Sequence, residues 1–568
     1  MRIAMMAAEA APCVKVGGLG DVVGALPKAL ERQGAAVSVI VPRHGAGSWE
    51  GSVAGRVPRL DVPMGGRVER ADITEARMRG SAVRVYAIAS RKYFDREGVY
   101  DDPATGEGYP DNPERFLFFM RAAVELVRAL GVPFDILHCH DAHAALVPAL
   151  VHPRYAPAGA GDFARTGTLL TIHNLAHQGI CPPETLDHAG IAARHFHPGS
   201  PFEYWGRLNF MKAGIELADR VNTVSPTYAV EIRSGPEAGC GLEGVLAGRS
   251  AALSGIVNGI DYEEWNPESD PHIAAPYSAR DLAGKEACRR DLRAFFRLEE
   301  RPVPLVGIVS RLADQKGLDL VAEAADGLLA LDLQLVVLGT GQRKYHDLLE
   351  AVAARHPGRV GVRLAFDNAL AHRIEAGCDI FLMPSRYEPC GLNQLYSLRY
   401  GTVPVVRRTG GLRLGAAQLL PLLEMAPYSN RSLGLAEASL HSVSPLQTLA
   451  GILFLWTPFH FWSLAIVYRE DYARGSFPML PVQVRPRPAA WWVLLHTAGT
   501  VLAALALVAH PDLGWLYFLP IGAASAYMLA RNLRLLVQPT GRQAYALFHT
   551  SNIYLALVLL MACLDAVL

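Results

Sequence analysis

Three cations and one carboxylate stand out by their placement at the ends of apolar runs. Lys15-Val16-Gly17-Gly18-Leu19-Gly20-Asp21 follows a short apolar run and opens an amphipathic stretch reaching Leu30. Glycines at such a strand-to-helix turn let the backbone approach an anion, the first helical turn offers unpaired N–H groups, and Lys15 adds a point charge. Arg311 and Lys316 stand five residues apart after a second run, at what reads as a helix start. There a planar guanidinium and an ammonium can both reach a diphosphate. Glu388, in Pro384-Ser385-Arg386-Tyr387-Glu388-Pro389-Cys390-Gly391-Leu392, reads as a strand-end carboxylate before a glycine-led helix. It can accept from sugar or ribose hydroxyls, while the N–H groups after it receive phosphate. Taken singly, the first segment also fits a glycine turn without a ligand, and Arg311 with Lys316 an ordinary helix-start salt bridge. His138-Cys139-His140-Asp141-Ala142-His143 and Thr171-Ile172-His173-Asn174 close two further runs. No distant pair completes a zinc set there, so no metal is expected.

The runs that must carry these residues are Val37–Val41, Val83–Ala87, Ile136–Cys139, Leu169–Ile172 and Arg220–Val224, then Leu305–Val309, Leu335–Leu338, Ile380–Met383 and Val403–Val406. They alternate with amphipathic Ala/Leu/Arg-rich stretches, the pattern of βαβ units in buried parallel sheets. Two successive doubly wound α/β domains, 1–245 and 255–412, are expected, with the chemistry in the cleft between their strand ends.

The whole chain, 568 residues, is 51% hydrophobic and 19% charged, greasier than a soluble domain at about 25% charged. The average conceals two pieces. From Leu414 onward about 9% of residues are charged, with no lysine; before it the figure is about 23%, near the soluble norm. Lys plus Arg equals Asp plus Glu at 54 each, so no net field recruits nucleic acid. Apolar segments at 446–468, 491–509, 515–530 and 551–568, with a weaker fifth at 415–428, approach the roughly 17–25 residues that span a bilayer. Arg469, Arg474, Arg485 and Arg487 mark one loop as cytoplasmic, and Arg531, Arg534 and Arg542 another. The eight cysteines form no C-x-x-C pair and no secretory leader precedes them, which suits a reducing cytosol. A cytoplasmic front piece then requires a crossing near 415–428.

In this order, KVGGLGDV, TIHNLAHQG, VNTVSPTYAVEI, GIVNGIDYEEWNP, VSRLADQKGLD and SRYEPCGLNQLYSLRYGTVPVVRRTGGL resemble bacterial glycogen (starch) synthase, from residue 1 to about 412. The resemblance implies a GT-B-like double Rossmann fold with a truncated second domain. It implies retaining transfer of glucose from ADP-glucose to the non-reducing end of an α-1,4-glucan (glycogen), without a cofactor. By the same resemblance Lys15, Gly17 and Gly18 contact the sugar-nucleotide phosphates and Arg311 with Lys316 clamps the diphosphate. His173 lies at the donor glucose and Glu388 is the essential carboxylate near the transferred sugar. Glu9, Asp21, Asp141, His143 and Asn258 line the cleft, and Cys390, Gly391 and Leu392 belong to the binding loop. The family's attack is front-face, with the departing phosphate helping to deprotonate the acceptor. Two departures stand out: Ala142 replaces a Trp that offers a sugar platform, and the family's segment after TGGL is absent.

FLWTPFHFW at 454–462, YREDYARGSFPMLPV at 468–482 and SNIYL at 551–555 resemble protohaem IX farnesyltransferase (haem O synthase), over about 414–568, the C-terminal half of that family. This implies an all-α transmembrane fragment of the intramembrane prenyltransferase type with four or five helices. Glu470, Asp471 and Tyr472 then carry an acidic motif, Glu470 and Asp471 hold Mg²⁺, and farnesyl diphosphate and haem B are the partners. The expected protein is a cytoplasmic glucosyltransferase domain on a multi-pass anchor in the inner (plasma) membrane. Two other readings stand beside it: a catalytically impaired hybrid from gene fusion or gene-model error, and a haem O synthase active only with a complementing N-terminal half. A genuine fusion yields, from cells, a peptide spanning Thr409–Asn430 in mass spectrometry; digestion with a protease other than trypsin avoids cleavage at Arg413. Its absence, with peptides from both flanks present, refutes the continuous chain.

Overall fold

The computed structural model describes residues 1–45, 55–156, 163–407, 409–412, 445–474, 480–506 and 515–567. Two compact units emerge, Met1–Leu435 and Ala436–Leu568. The expected fifth apolar segment at 415–428 and the compositional seam at Arg413 lie outside the described residues.

The first unit is built on β1 (Arg2–Met6), β2 (Ala36–Pro42), β3 (Gly55–Pro63), β4 (Val68–Arg77), β5 (Arg84–Ala89), β6 (Ile136–His140), β7 (Gly167–Ile172), β8 (Ile180–Cys181), β9 (Glu203–Tyr204), β10 (Arg207–Asn209), β11 (Arg220–Thr223), β12 (Leu253–Gly255), β13 (Leu305–Val309), β14 (Gln334–Gly339), β15 (Val360–Leu364), β16 (Ile380–Met383) and β17 (Val403–Val406). Every apolar run named above is a strand. The first sheet runs β12-β11-β7-β6-β1-β2-β5-β4-β3 and the second β15-β14-β13-β16-β17. Met5, Val39 and Leu137 retain no exposed surface, because a parallel strand is covered on both faces and reads as a continuous apolar run.

β3 and β4, absent from the sequence expectation, form an antiparallel ribbon at the sheet edge. Ala71 and Ile73 are buried while Asp72 between them is exposed, so one face is solvated and the apolar signal is halved. β8, β9 and β10 make a separate three-stranded sheet. β12 pairs with β11, which carries the first sheet to Gly255, past the boundary expected at 245.

Six helices matter for the site: α1 (Gly18–Arg32), α2 (Asn112–Ala129), α3 (Pro226–Glu231), α4 (Ala283–Phe296), α5 (Asn368–Gly377) and α6 (Leu392–Arg399). The order of each sheet creates a switch point, between β6 and β1 in the first and between β13 and β16 in the second. Loops leaving neighbouring strands there diverge to opposite sides and open a crevice at the strands' carboxyl ends.

The second unit is helical: α7 (Pro445–Val467), α8 (Pro486–Ala506), α9 (Trp515–Val537) and α10 (Gly541–Val567), with two short helices, Arg469–Arg474 and Leu480–Gln483, between α7 and α8. Some polar groups inside it are paired with one another. Asn532 Nδ2 donates to Thr497 Oγ1 at 2.6 Å, and Trp456 Nε1 donates to the Ser551 carbonyl at 3.0 Å. Such pairing is what an apolar surround demands. One expectation is corrected. Arg531 and Arg534 lie within α9 and Arg542 within α10, so they do not form a long loop. Among the described residues one helix, Pro486–Leu505, is long and apolar enough to cross a membrane, and Leu455–Val467 is a shorter apolar stretch.

A buried network ties the segment between the sheets to the second one. Asp270 accepts from the Tyr400 hydroxyl at 2.5 Å and from His372 Nδ1 at 2.7 Å, with both Asp270 and His372 side chains fully buried. Trp265 stacks between His372 and Tyr396, at 3.8 Å from each ring centre. Asp270→Ala leaves two buried polar partners unpaired, and a loss of about 3 kcal/mol or more is expected, measured as a lowered urea midpoint by circular dichroism. An unchanged midpoint removes the network's structural role.

Candidate active site

A cavity of about 840 Å³ lies at the two switch points, lined by residues of both sheets' loops. All fifteen candidates named in the first unit line it: Glu9, Lys15, Gly17, Gly18 and Asp21 after β1; Asp141 and His143 after β6; His173 after β7; Asn258 after β12; Arg311 and Lys316 after β13; Glu388, Cys390, Gly391 and Leu392 after β16.

The cations are not equivalent. Lys316 Nζ sits 2.5 Å from Glu388 Oε2, which also accepts from Ser385 Oγ at 3.0 Å. Lys15 Nζ is paired with Asp21 at 2.6 Å and reaches Asn368 Oδ1 on α5 at 3.4 Å. Arg311 is exposed and makes no ion pair among the described residues, so it carries the uncompensated positive charge. Arg311 and Lys316 also precede their helix. Asp314–Lys316 forms one 3-10 turn, and the helix begins only at Leu318, after Gly317 at φ +66°. A Cβ on Gly317 would meet the Pro384 carbonyl, so this glycine lets the Lys316 loop lie against the Glu388 loop.

Gly17 and Gly391 lead α1 and α6, and neither helix start carries a side-chain cap, which leaves amide groups for an anion. The first amides of the Lys15–Gly18 turn are already engaged: Glu9 Oε2 accepts from Val16 N at 2.5 Å and Gly17 N at 3.0 Å. Glu9 thus shapes the turn from behind, and the amides left for a ligand are those further into α1. Burial raises its carboxyl pKa, opposed by the hydrogen bond from Tyr100.

The histidines are neutral. Burial lowers His173 and His143 to about 3 and His138 to about 4. His138 and His140 share one face of β6 with ring centres 4.1 Å apart, and His140 Nδ1 lies 2.9 Å from His173 Nε2. One ring must donate and the other accept, which sets complementary tautomers. Asp141, at φ +55°, accepts the His173 amide at 2.6 Å, and burial raises it to about 7. His143 is packed against Phe116 and Tyr100, at 4.3 and 4.8 Å between ring centres, in an aromatic rather than a polar setting. Asn258 is hydrogen-bonded to the Cys390 thiol, whose pKa burial pushes up to about 12. The seven described cysteines are all free.

Several lining residues escaped the sequence reading. Tyr100 donates to Glu9 Oε1 at 2.5 Å from a loop without periodicity. Phe366, 64% exposed at the cavity after β15, offers an open ring face to a planar group; its strand went unrecognised. Tyr396 is hydrogen-bonded to Asp21 from α6. A position-by-position reading has no signal for such contacts.

Residues 2–248 match the starch synthase catalytic domain family, 292–414 the glycosyl transferases group 1 family and 412–558 the UbiA prenyltransferase family. Glycogen synthase 1 of Geobacter sulfurreducens is 46% identical over 417 residues, 72% of this chain and 82% of that protein. The chain belongs to the glycogen synthase family. Glycogen synthase of Koribacter versatilis is 47% identical over 412 residues, 72% of this chain and 83% of that protein. Among solved structures, the catalytic domain of Starch Synthase IV from Arabidopsis thaliana, bound to ADP and acarbose, superposes with a TM-score of 0.67 at 36% identity, covering 72% of this chain and 83% of that one. The first unit is accordingly a GT-B glycosyltransferase of the glycogen synthase type, and the second carries a UbiA-family segment.

In that segment Glu470 and Asp471 are exposed neighbours on the six-residue helix Arg469–Arg474, with Tyr472 half-buried beside them. Successive helical residues point about 100° apart. No cluster of three or more metal-ligating side chains exists among the described residues.

Burial of neutral histidine has a pH consequence. Unfolded His143 takes up a proton near pH 6.5, whereas the folded residue does so only near 3. Its contribution is intact above about pH 6.5 and is lost as pH falls toward 3. Compared with His143→Phe, which keeps the ring stack, the full chain should lose about 2 kcal/mol of relative stability between pH 7 and pH 5. Urea unfolding at both pH values measures this, and the oppositely signed Asp141 effect is common to both proteins. A difference independent of pH refutes it.

Proposed function

We propose that the first unit transfers glucose, with retention, from ADP-glucose to the non-reducing end of an α-1,4-glucan. The observation that carries this reading is Glu388, 8% exposed, paired with Lys316 beside the unpaired Arg311 and the uncapped start of α6. This arrangement suits a donor with a sugar at one end and a diphosphate at the other. It is supported by the family and by the related plant enzyme bound to ADP and acarbose.

In this reading Arg311, Lys316 and Lys15 stabilise the charge that develops on the departing diphosphate. Glu388 and Asp21, which hold the two lysines here, yield part of that contact to the phosphates. Glu388, held by Ser385, accepts hydroxyls of the transferred glucose, and neutral His173 faces the same sugar. The bond from C1 to the phosphate oxygen breaks, C1 bonds to the acceptor 4-oxygen on the same face, and the acceptor proton passes to the departing phosphate. Phe366 offers its ring to the base. Asn258 and Cys390 set the loop that leads α6. Ala142 supplies no aromatic platform, so the acceptor is held by the remaining cleft surface.

For the second unit the finer reading is a fragment of a haem-modifying farnesyltransferase with farnesyl diphosphate and haem B as substrates. It rests on the motifs at 454–462 and 468–482 and on the UbiA match. A location in the inner membrane, multi-pass with the glucosyltransferase inside, follows from the same reading, with Pro486–Leu505 as its best spanning helix.

Purified full-length protein is expected to incorporate labelled glucose into glycogen from ADP-glucose faster than from UDP-glucose. Lys15→Ala and Glu388→Ala should each reduce kcat at least about 100-fold and Arg311→Ala at least about tenfold. An inactive wild type, or equal activity in the Glu388 variant, overturns the assignment. Haem O formed from haem B and farnesyl diphosphate only after adding an N-terminal half supports the complemented reading of the second unit.

A further inference from the structure

Glu231 ends α3, a helix of the first Rossmann domain that Ser225 caps by accepting the Tyr228 amide at 2.9 Å. Its two carboxylate oxygens lie 3.0 and 3.1 Å from the amide nitrogen of Gly410, which belongs to the other Rossmann domain. Gly410 is buried at φ +49° and opens the turn Gly410–Leu412. That turn is pressed against the back of the Glu388 loop. The Gly411 amide donates to the Glu388 carbonyl at 2.9 Å and to that of Pro389 at 3.1 Å. A Cβ on Gly410 would collide with the Glu388 carbonyl, and one on Gly411 with that of Cys390. Side-chain-free contact with the Glu388–Cys390 backbone is therefore required at both glycines. Glu231 itself does not line the cavity.

We propose that Glu231 is a positioning residue. It latches the Gly410–Gly411 turn to the first domain and through that turn fixes the backbone of Glu388 in the assembled cleft. A charge-assisted bond to a buried amide is stronger than a neutral one. Losing it leaves that amide without a partner, so the contact favours the assembled arrangement over one with the domains apart. The pair sits on the opposite side of the Glu388 loop from the cavity, where it can persist while ligands exchange. Two further cross-domain contacts flank the same loop: Asn174 is hydrogen-bonded to Tyr387, and Gly18 approaches the Leu392 side chain. Unlike Glu231, all but Tyr387 of these residues line the cavity.

The kinetic part of the test rests on the proposed function, and the exchange part does not. In full-length protein, Glu231→Ala is expected to lower kcat for glucose transfer from ADP-glucose at least tenfold. KM for glycogen should stay within twofold and the thermal midpoint within about 2 °C. Glu231→Gln, which keeps one acceptor oxygen, should retain at least a third of wild-type kcat. Hydrogen–deuterium exchange should be at least tenfold faster in Glu231→Ala at the Gly410–Leu412 amides, and intermediate in Glu231→Gln. Faster exchange with an inactive wild type keeps the latch and removes the functional reading. Unchanged exchange in Glu231→Ala, or loss of kcat in step with a lowered midpoint and without rescue by Gln, overturns the latch.

Discussion

Everything in the first unit depends on the divergence of neighbouring loops where the strand order reverses, between β6 and β1 and between β13 and β16. A covered parallel sheet leaves its strand ends as the places where backbone polar groups can meet a ligand, and at a reversal no helix crosses over them. Both crevices open into one cavity. Residues as distant in sequence as Lys15 and Asn368 meet there, and nearly every group with chemical potential is drawn from a loop immediately after a strand.

The electrostatics of that cavity are poised rather than neutral. Two of its three principal cations are held by carboxylates, Lys15 by Asp21 and Lys316 by Glu388, while Arg311 is not. Burial raises Glu9, Asp21 and Asp141 and depresses the histidines. Charge in this pocket is therefore concentrated on a few exchangeable pairs, the condition under which an arriving diphosphate gains most from each contact. Backbone shape serves the same end. Gly317 and Gly410 allow the loops on either side of Glu388 to touch without side chains, and Glu9 spends its carboxylate on the turn that presents Lys15.

Much of the fold was legible because its signals are local. Continuous Val/Ile runs mark covered strands, and Gly17 and Gly391 mark turns whose helices start uncapped. The edge ribbon β3–β4 was not, because a half-solvated strand mixes charged and apolar residues. In the second unit the helices were found but their ends were misplaced. Arg531, Arg534 and Arg542 read as loop markers, yet the first two continue α9 and the third lies in the first turn of α10.

The sequence by itself determined the two-part composition, the strand runs and, through the family resemblance, fifteen of the positions that line the cleft, because its motifs sit at strand ends. Only the tertiary structure decided which charges pair, which histidines are neutral, that Tyr100, Phe366 and Tyr396 join the site, and that Glu231 reaches the back of the Glu388 loop. Lys316 and Glu388 are 72 positions apart and Glu231 and Gly410 are 179 apart. Such contacts follow from the order of strands in a sheet, and a run of apolar residues says that it is a strand without saying which strand will lie beside it.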